Sequence, residues 1–267
     1  MGPDKDHGPY VWQPHPNTNQ GMHRWAEEHI MRNHGALGEL YPYRFSGNGF
    51  LEGGGTIPWL GLVNKGLYST EETSWGGWSG RFSAVKQKNI WSRHKDIKAD
   101  EARNTDFYVY TEVSDNWTDP ETGTHYNNNY APVWRWRRAM LNNCQARFDW
   151  CVKPYKEANH HPKAAFNGDT SDTIVRLTAK PDEIVALDAT TSKDPDGDAL
   201  DFLWWIYPEA GTYAGDVYIA KPHHAKTAVT IPSDAAGKQI HFILQVSDKI
   251  PIASLFDYRR VVIDVED

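Results

Sequence analysis

The clearest candidate for metal chemistry is an acidic turn in the second half of the chain. Its five residues, Asp194-Pro195-Asp196-Gly197-Asp198, place three carboxylates at alternate positions. This spacing resembles the start of a calcium loop, but an EF-hand also needs a glycine at its sixth position and a glutamate at its twelfth, which this stretch lacks. Asp194, Asp196 and Asp198 are therefore candidate Ca²⁺ ligands. The alternative is a turn whose aspartates cap their own backbone.

A glycine-rich loop in the first half holds the one candidate catalytic residue, Glu52. Three glycines follow it, Gly53 to Gly55, and they would let a substrate approach the backbone closely. The carboxyl group would then act as a general acid or as a metal ligand. The alternative is a structural turn. The sequence contains no nucleophile elbow, no H-E-x-x-H motif and no P-loop.

Aromatic residues are unusually frequent, with 12 Trp, 13 Tyr and 9 Phe, and they suggest a carbohydrate-binding surface. A flat ring can stack on the apolar face of a sugar while its polar edge stays hydrated. Three tryptophans lie in glycine-rich loops, and two further rings lie on a strand with two apolar faces. The candidate sugar-binding residues are Trp59, Trp75, Trp78, Trp205 and Tyr207. The alternative is that these rings fill the core or the gap between two domains.

Charge and hydropathy exclude two classes of partner. A formal net charge of −7 argues against a general nucleic-acid binder, and no run approaches the roughly 20 apolar residues that span a bilayer. The first residues show no signal-peptide pattern.

Cys144 and Cys151 are seven positions apart on a predicted helix, about 10 Å apart along its axis, so we expect two buried free thiols.

The second half is predicted to be all-β. Short segments with alternating apolar residues are separated by turn residues, which is typical of an immunoglobulin-like sandwich. The predicted strands are Ile174–Leu177, Ile184–Leu187, Leu200–Tyr207, Val217–Ile219, Thr227–Ile231, Ile240–Val246 and Tyr258–Val265.

The first half is predicted to be mixed and irregular. A helix is expected from about Gln20 to Asn33, and a longer one from Pro132 to near Val152. The glycine-rich region between Tyr41 and Ser83 argues against regular elements, and a strand is expected over Asp106–Val113. The predicted domains are residues 1–160 and 172–267, with a linker over residues 161–171.

Several long motifs resemble one family of secreted bacterial and fungal proteins. The stretches SKDPDGDALDFLWWIYPEAGTY, KQIHFILQVSD and DYRRVVIDV resemble the C-terminal Ig-like domain of cellulose-binding proteins that carry a nucleoside-hydrolase-like domain. The stretches NHGALGELYP, LEGGGTIPWLGL, WGGWSGRF and FDWCVKPYKEANHHP resemble, in order, the later part of that hydrolase-like domain. The resemblance covers most of the chain from about His23 and implies a glycan ligand.

Two departures from that family's pattern count against hydrolysis by this chain alone. Nucleoside hydrolases bind calcium through an early D-x-D-x-x-x-D-D cluster, and nothing here matches it. Relatives also tend to have Glu-Gly-Asp-Thr-Pro where this chain has Glu52-Gly53-Gly54-Gly55-Thr56-Ile57-Pro58. Both departures suggest that residues 1–160 pack on a missing half-domain or on a partner chain.

We therefore predict an α+β chain: a remnant of an α/β hydrolase-like domain, followed by an Ig-like sandwich. The predicted function is binding of cellulose or another β-glucan in the extracytoplasmic space, secreted or periplasmic. Expected partners are polysaccharides or oligosaccharides, with self-association or a companion chain through the first half, and no nucleic acid or membrane. One alternative is a glycoside or nucleoside hydrolase whose Asp/Ca²⁺ core comes from a missing segment or partner. The other is a structural Ig-like spacer.

Overall fold

The computed structural model describes residues 25–41, 56–63, 65–68, 70, 72–87, 107–251 and 253–267. The fold is α+β, as predicted. Its α-helices are α1 (Gly35–Leu40), α2 (Thr56–Leu62), α3 (Ala131–Trp134) and α4 (Arg137–Asp149). A π-helical turn spans Glu27–Met31, and 3-10 turns span Thr73–Trp75, Tyr155–Glu157 and Pro208–Ala210. Within these described ranges, every helix is too short or too polar to cross a membrane.

The long helix expected from Pro132 is divided in two. The amide of Trp136 bonds to Val133 O at 3.1 Å, a tightened three-residue turn that separates α3 from α4. Helix α4 ends at Asp149, so Cys151 lies beyond it and is exposed, while Cys144 is half-buried. Neither cysteine forms a disulfide, but the expected burial of the two is wrong because the helix ends before Cys151.

Two small antiparallel sheets belong to the first part. Strands β1 (Phe82–Gln87) and β2 (Phe107–Glu112) form one pair, which confirms the strand expected near residues 106–113. Strands β3 (Asp115–Thr118) and β4 (His125–Asn128) form a hairpin that the sequence analysis did not predict. Its residues lack apolar alternation, and its turn depends on Asp119, which accepts from the amide of Glu121 at 2.9 Å.

The second part contains six strands in two sheets. Strands β5 (Val175–Ala179), β10 (Phe256–Val265), β9 (Gln239–Asp248) and β7 (Leu200–Ile206) form one sheet in that order. Strands β6 (Ile184–Asp188) and β8 (Lys226–Thr230) form the other. Strand β5 runs parallel to β10, and the other pairs are antiparallel. The remaining predicted strand, Val217–Ile219, is reduced to an isolated bridge between Ile219 and Val229.

One apolar core joins these two sheets. Alternate residues of the six strands bury their side chains together, as the period-two pattern predicts. Trp204 is central to it, is 1% exposed, and donates its indole N–H to His224 O at 3.0 Å. The segment 161–171, expected as a linker, contributes Phe166 to the same core. The Ig-like classification of this part stays a prediction.

A second apolar core, the junction core, joins the first part to the outer face of the four-stranded sheet. It includes Trp78 and Trp136 from the first part and Tyr207, Ile243 and Tyr258 from the second. Burying these side chains stabilises the contact between the two parts.

Main-chain hydrogen bonds reinforce this contact along β10. The amides of Tyr258 and Arg260 donate to Lys65 O at 3.0 Å and Gly66 O at 3.1 Å, so this short segment extends the sheet beside β10. Gly66 has φ +77°, and a Cβ there would lie 2.0 Å from Tyr258 O. Only glycine allows the backbone to approach so closely.

Candidate functional site

A cleft of about 780 Å³ lies where the two parts meet, and we call it the junction cleft. One wall comes from β3, the β3–β4 turn, α3 and α4, and the other from β7, β9 and β10. Aromatic side chains are prominent in both walls: Trp25, Trp117, Trp134, Trp136, Trp205, Phe256 and Tyr258. A concave, largely apolar site with a few polar groups is the usual form of a small-ligand site.

The aromatic walls are held by contacts between rings. Trp205 is half-buried and tilts against Trp136 with ring centroids 5.5 Å apart. On the facing side Trp117 stacks on Tyr126 at 5.9 Å, and Tyr126 meets Trp134 edge-on at 5.1 Å. Rings packed in this way lose little conformational freedom when a ligand binds.

Charged side chains around the junction cleft are balanced in sign. Three carboxylates, Asp119, Glu121 and Glu209, line it together with three arginines, Arg135, Arg137 and Arg138. Arg135 lies 3.9 Å from Glu209, and Arg138 lies 4.0 Å from Glu121. Because the charges cancel locally, the cleft offers polar recognition without a strong preference for a charged ligand.

Beneath this surface, Asp115 is the centre of a buried polar cluster. Its Oδ1 accepts from Arg81 Nε at 2.7 Å, and its Oδ2 accepts from Tyr207 Oη at 2.6 Å and lies 3.2 Å from Arg135. Burial raises the pKa of Tyr207, so its hydroxyl remains a donor. The cluster fixes Arg135, whose guanidinium carbon lies 5.4 Å from the Trp205 ring centroid.

Several buried polar atoms at the junction cleft have no hydrogen-bond partner among the described residues. They include Arg135 Nε, Trp136 Nε1 and Glu209 Oε2. The other Glu209 oxygen accepts from the Asn116 amide at 2.7 Å. Unsatisfied buried groups are rare and costly, and a bound ligand or water is a common reason for them. This combination of donors with an acceptor matches the mixed hydrogen bonding of hydroxyl groups.

Three of the five predicted sugar-binding rings are packed between the two parts. Trp78 is 2% exposed and Tyr207 is fully buried, so neither presents a ring face to a ligand in this structure. Trp75 is half-buried, with the guanidinium groups of Arg176 and Arg260 within 5.3 and 5.7 Å of its ring. Their packing agrees with the alternative reading, in which the rings fill the gap between the domains.

Glycine explains how these loop rings become buried. A Cβ at Gly76 would lie 2.4 Å from Tyr207 Oη, so only glycine lets the Trp75–Trp78 loop press against β7. The sequence analysis chose these tryptophans as candidate sugar-binding residues because they lie in glycine-rich loops, where ligand access was expected. In the structure that space is occupied by the second part of the chain.

The other two predicted rings keep accessible surface. Trp205 lines the junction cleft. Trp59 is 43% exposed and carries the guanidinium of Arg147 at 5.1 Å from its ring centroid. The candidate catalytic residue Glu52 lies outside the described residues.

The three aspartates of the acidic turn come together as predicted. Each can offer one carboxylate oxygen, and these oxygens lie within 4.8 Å of one another. Asp194 Oδ1 accepts from the amides of Asp196 at 2.8 Å and Asp198 at 3.2 Å, which is the self-capped turn. Burial, followed by the neighbouring Asp194, raises the pKa of Asp198. The turn can thus cap itself and still offer oxygens to a cation, and Ca²⁺ binding stays a prediction.

Sequence reasoning missed most residues of the junction cleft. The run Trp134 to Arg138 was placed only within the helix predicted from Pro132, and Trp117 was not singled out. Glu209 was not predicted as a site residue. Their common signal is a cluster of tryptophan, arginine and acidic residues around a helix start, but the cleft exists only because β7 packs against them.

Two family models match the chain. The model for the C-terminal domain of the cellulose-binding protein Sde0182 matches residues 184–265. The model for the nucleoside hydrolase-like domain of cellulose-binding Sde182 matches residues 4–82. No curated protein sequence matches the chain.

One solved structure is similar over nearly the whole chain. It is a nucleoside hydrolase-related hypothetical protein from Saccharophagus degradans that is associated with carbohydrate metabolism, with 36% identity and a TM-score of 0.72. The match covers 96% of this chain and 55% of that one, so this chain spans about half the length of that relative. A PKD domain from human KIAA0319 shows 15% identity over 34% of this chain and 75% of its own, with a TM-score of 0.26, too slight to carry an argument.

Proposed function

We propose that this chain, which matches family models of Sde0182-type cellulose-binding proteins over residues 4–82 and 184–265, binds a neutral β-glucan, such as cellulose, in the junction cleft. The observation that carries this proposal is the combination of aromatic walls with a balanced set of three arginines and three carboxylates. Ring faces suit the apolar faces of glucose units, and the paired charges suit their hydroxyls.

Specific contacts support the assignment of roles. The half-buried ring of Trp205 stacks on a glucose unit. Arg135 lies beside that ring and is held in place by its ion pair with Asp115. Glu209 Oε2 accepts from a sugar hydroxyl after a small side-chain shift, since that atom is buried and has no hydrogen-bond partner among the described residues. Net neutrality of the lining disfavours uronic acids and sugar phosphates.

The direct test is calorimetric titration with a soluble gluco-oligosaccharide. Trp205→Leu removes the ring but keeps an apolar side chain in the junction core, and we expect it to weaken binding about tenfold. Tyr218→Leu, which alters an exposed ring elsewhere, serves as the control and should bind as the parent does. Unchanged affinity in a folded Trp205→Leu protein would place the glycan elsewhere, and no binding by the parent protein would reject the proposal.

The proposal includes an extracytoplasmic location, because an insoluble glucan is met outside the cell. The sequence analysis expected a secreted or periplasmic protein from the family resemblance. Fractionation of the native host with an antibody against this chain is the test. Detection only in the cytoplasm would contradict this part of the proposal.

Hydrolysis is a second candidate, favoured by the match of residues 4–82 to a nucleoside hydrolase-like model. It would require an Asp/Ca²⁺ core, because this chain lacks the D-x-D-x-x-x-D-D cluster. That core would come from a missing segment or from a partner chain. Release of reducing ends from glucans, or of free base from nucleosides, should be measured with this chain alone and with a longer homologous chain. Activity of this chain alone would make it an enzyme in its own right.

Self-association or a companion chain is the remaining part of the proposal. It is supported by Leu40 and Leu62, which are 80% and 73% exposed on α1 and α2. Light scattering across a concentration series tests it. The double variant Leu40→Ser/Leu62→Ser should reduce any association, and a parent chain that is monomeric at every concentration would rule out self-association.

A further inference from the structure

A row of planar groups crosses the surface beside α4, and we call it the aromatic row. Its members are Trp59, Arg147, Trp150, His160 and Tyr155. Arg147 lies 5.1 Å from the Trp59 ring and 5.6 Å from the Trp150 ring. Trp150 lies parallel to His160 at 6.1 Å, and His160 stacks on Tyr155 at 3.8 Å. Its two ends are the most open, with Trp59 43% and Tyr155 68% exposed.

Hydrogen bonds fix the inner members of the aromatic row. Trp150 donates its indole N–H to Asn159 O at 2.7 Å, and Arg147 Nε donates to Asn143 Oδ1 at 2.8 Å. His160 is bound to Asp196 through its amide at 2.7 Å and its Nδ1 at 2.9 Å. Rings that are fixed before a ligand arrives lose little entropy on binding, so this is a preorganised surface.

The aromatic row borders a polar cleft of about 520 Å³. The two share one segment of chain, because Asp149, Lys156 and Asn159 line the cleft and are neighbours in sequence of Trp150, Tyr155 and His160. Asp196, which holds His160, also lines it. The aromatic row and the polar cleft are therefore built on the same segment of chain and on the same acidic turn.

The polar cleft is acidic, unlike the junction cleft. Two lysines line it, Lys153 and Lys156, against five carboxylates: Glu28, Asp149, Glu157, Asp196 and Asp198. Five negative and two positive charges give a formal charge of −3 with the histidines neutral. Such a lining attracts cations and repels anionic ligands.

Two buried atoms that line the polar cleft lack a partner among the described residues, and both are acceptors. His34 is 7% exposed, and its Nε2 lies 3.1 Å from Asp149 Oδ1. With Nε2 donating to that carboxylate, His34 Nδ1 carries an unshared lone pair. Asn159 Nδ2 donates to Asp248 at 2.9 Å, which leaves Asn159 Oδ1 as the second unsatisfied acceptor.

We propose that the polar cleft and the aromatic row form a second binding site, for a saccharide that carries protonated amino groups. The ammonium groups donate to the carboxylates and to the unsatisfied acceptors, while the sugar faces and the ammonium charge contact Tyr155 and Trp59. A cation that carries several hydrogen-bond donors fits this site best. It can pair with the carboxylates, satisfy the two buried acceptors and contact the exposed ring faces. The site shares no lining residue with the junction cleft and does not depend on glucan binding there.

The test compares two soluble probes of equal length, an oligomer of glucosamine and a gluco-oligosaccharide. Titrations use the full chain, near neutral pH, at low and at high salt. Tyr155→Ala removes an exposed ring, and Glu157→Gln removes one carboxylate from the lining. Tyr218→Ala and Glu266→Gln are the matched controls, because they alter exposed residues of the same types away from both clefts.

We expect the glucosamine oligomer to bind and to weaken with salt. Tyr155→Ala should weaken it about threefold, and Glu157→Gln about twofold. Trp205→Leu and the two controls should leave it unchanged. Binding that is insensitive to both Tyr155→Ala and Glu157→Gln, or that is equal for the two probes at this site, would overturn the inference.

The same titrations separate this inference from the proposed function. If the gluco-oligosaccharide binds and the glucosamine oligomer does not, the second site fails and the junction cleft stands. If only the glucosamine oligomer binds, with the expected variant pattern, the second site stands and the proposed function fails. If neither binds, both fail.

Discussion

Tyr207 donates its hydroxyl hydrogen to Asp115 Oδ2 at an oxygen–oxygen distance of 2.6 Å. The two residues are 92 positions apart in the chain and both are buried. Tyr207 follows β7 in the second part, and Asp115 begins β3 in the first. This bond therefore ties together the two walls of the junction cleft, and Arg81 and Arg135 complete the partners of the same carboxylate.

Replacing Tyr207 with phenylalanine should destabilise the protein by about 1–2 kcal/mol, because a buried carboxylate loses one donor while the ring stays in place. Urea denaturation measures the free energy of unfolding. Tyr213→Phe is the matched control, since Tyr213 donates to Asp234 at 2.7 Å in an exposed setting, and it should change little. Equal losses in the two variants would show that the Tyr207 bond is no stronger than a surface contact.

Arg260 also holds the two parts together, on the same face of β10 as Tyr258. Its fully buried guanidinium donates to Leu67 O at 2.8 Å, Trp75 O at 3.0 Å and Gly76 O at 2.7 Å. Burial lowers its pKa to about 10, so it keeps its charge at neutral pH. Three carbonyl groups of the first part thus depend on one side chain of β10.

Arg260→Lys should cost about 3 kcal/mol or more, because an ammonium group cannot reach three carbonyls arranged around a planar fork. It should also weaken glucan binding in the junction cleft. Arg259→Lys is the control: Arg259 is equally buried, but it donates to Asp169 and Thr173 within the second part. Unfolding measurements and titrations of both variants should show a loss of binding for Arg260→Lys alone. Loss of binding in both would contradict a specific role at the junction.

The strands of the second part were predictable and the junction cleft was not, for one physical reason. Residues such as Phe242, Leu244 and Val246 alternate on a strand, and alternation is a local property that predicts a buried sheet face. Trp78 lies in a glycine-rich loop without any period. Its burial is decided by contact with Tyr258, a residue 180 positions away that no local pattern reveals.

The acidic turn shows the opposite case, in which the spacing of the aspartates in the sequence was enough to predict that their carboxylates lie together. Asp194, Asp196 and Asp198 are close in sequence, so the turn itself brings their oxygens within 4.8 Å. The cleft residues Asn116 and Glu209 meet only because β3 packs beside the turn after β7. Sites built from one segment can be predicted from sequence, and sites built by docking need the structure.

Asp257 makes the stability of the fold depend on pH. It is 3% exposed, accepts from the Ala164 amide at 2.8 Å, and burial raises its pKa to about 6 from 3.8. As the pH rises between those two values, the unfolded chain releases this proton and the folded chain retains it. The free energy of unfolding therefore falls, by about 3 kcal/mol once the pH is above the folded pKa.

Asp257→Asn keeps an oxygen for the Ala164 amide and removes the titration. The variant should equal the parent in stability near pH 4 and exceed it by about 1–3 kcal/mol near pH 7. The difference between the two proteins is the quantity to measure, because His161 and His241, whose pKa values burial lowers to about 3, act with the opposite sign over the same range. Asp264→Asn, an exposed change on the same strand, is the control. A stability difference between Asp257→Asn and the parent that does not change with pH would contradict the buried titration.

Calcium should stabilise the acidic turn weakly. Three carboxylate oxygens within 4.8 Å repel one another, and a divalent cation would relieve that repulsion. Millimolar Ca²⁺ should raise the melting temperature, and EDTA should reverse the rise, as for weak extracellular calcium modules. Asp198→Asn should remove the response, because Asp198 contributes a ligand oxygen but accepts none of the amides that cap the turn through Asp194. Asp216→Asn, outside the turn, should keep the response. If Ca²⁺ does not change the melting temperature of the parent protein, the aspartates form only a self-capped turn.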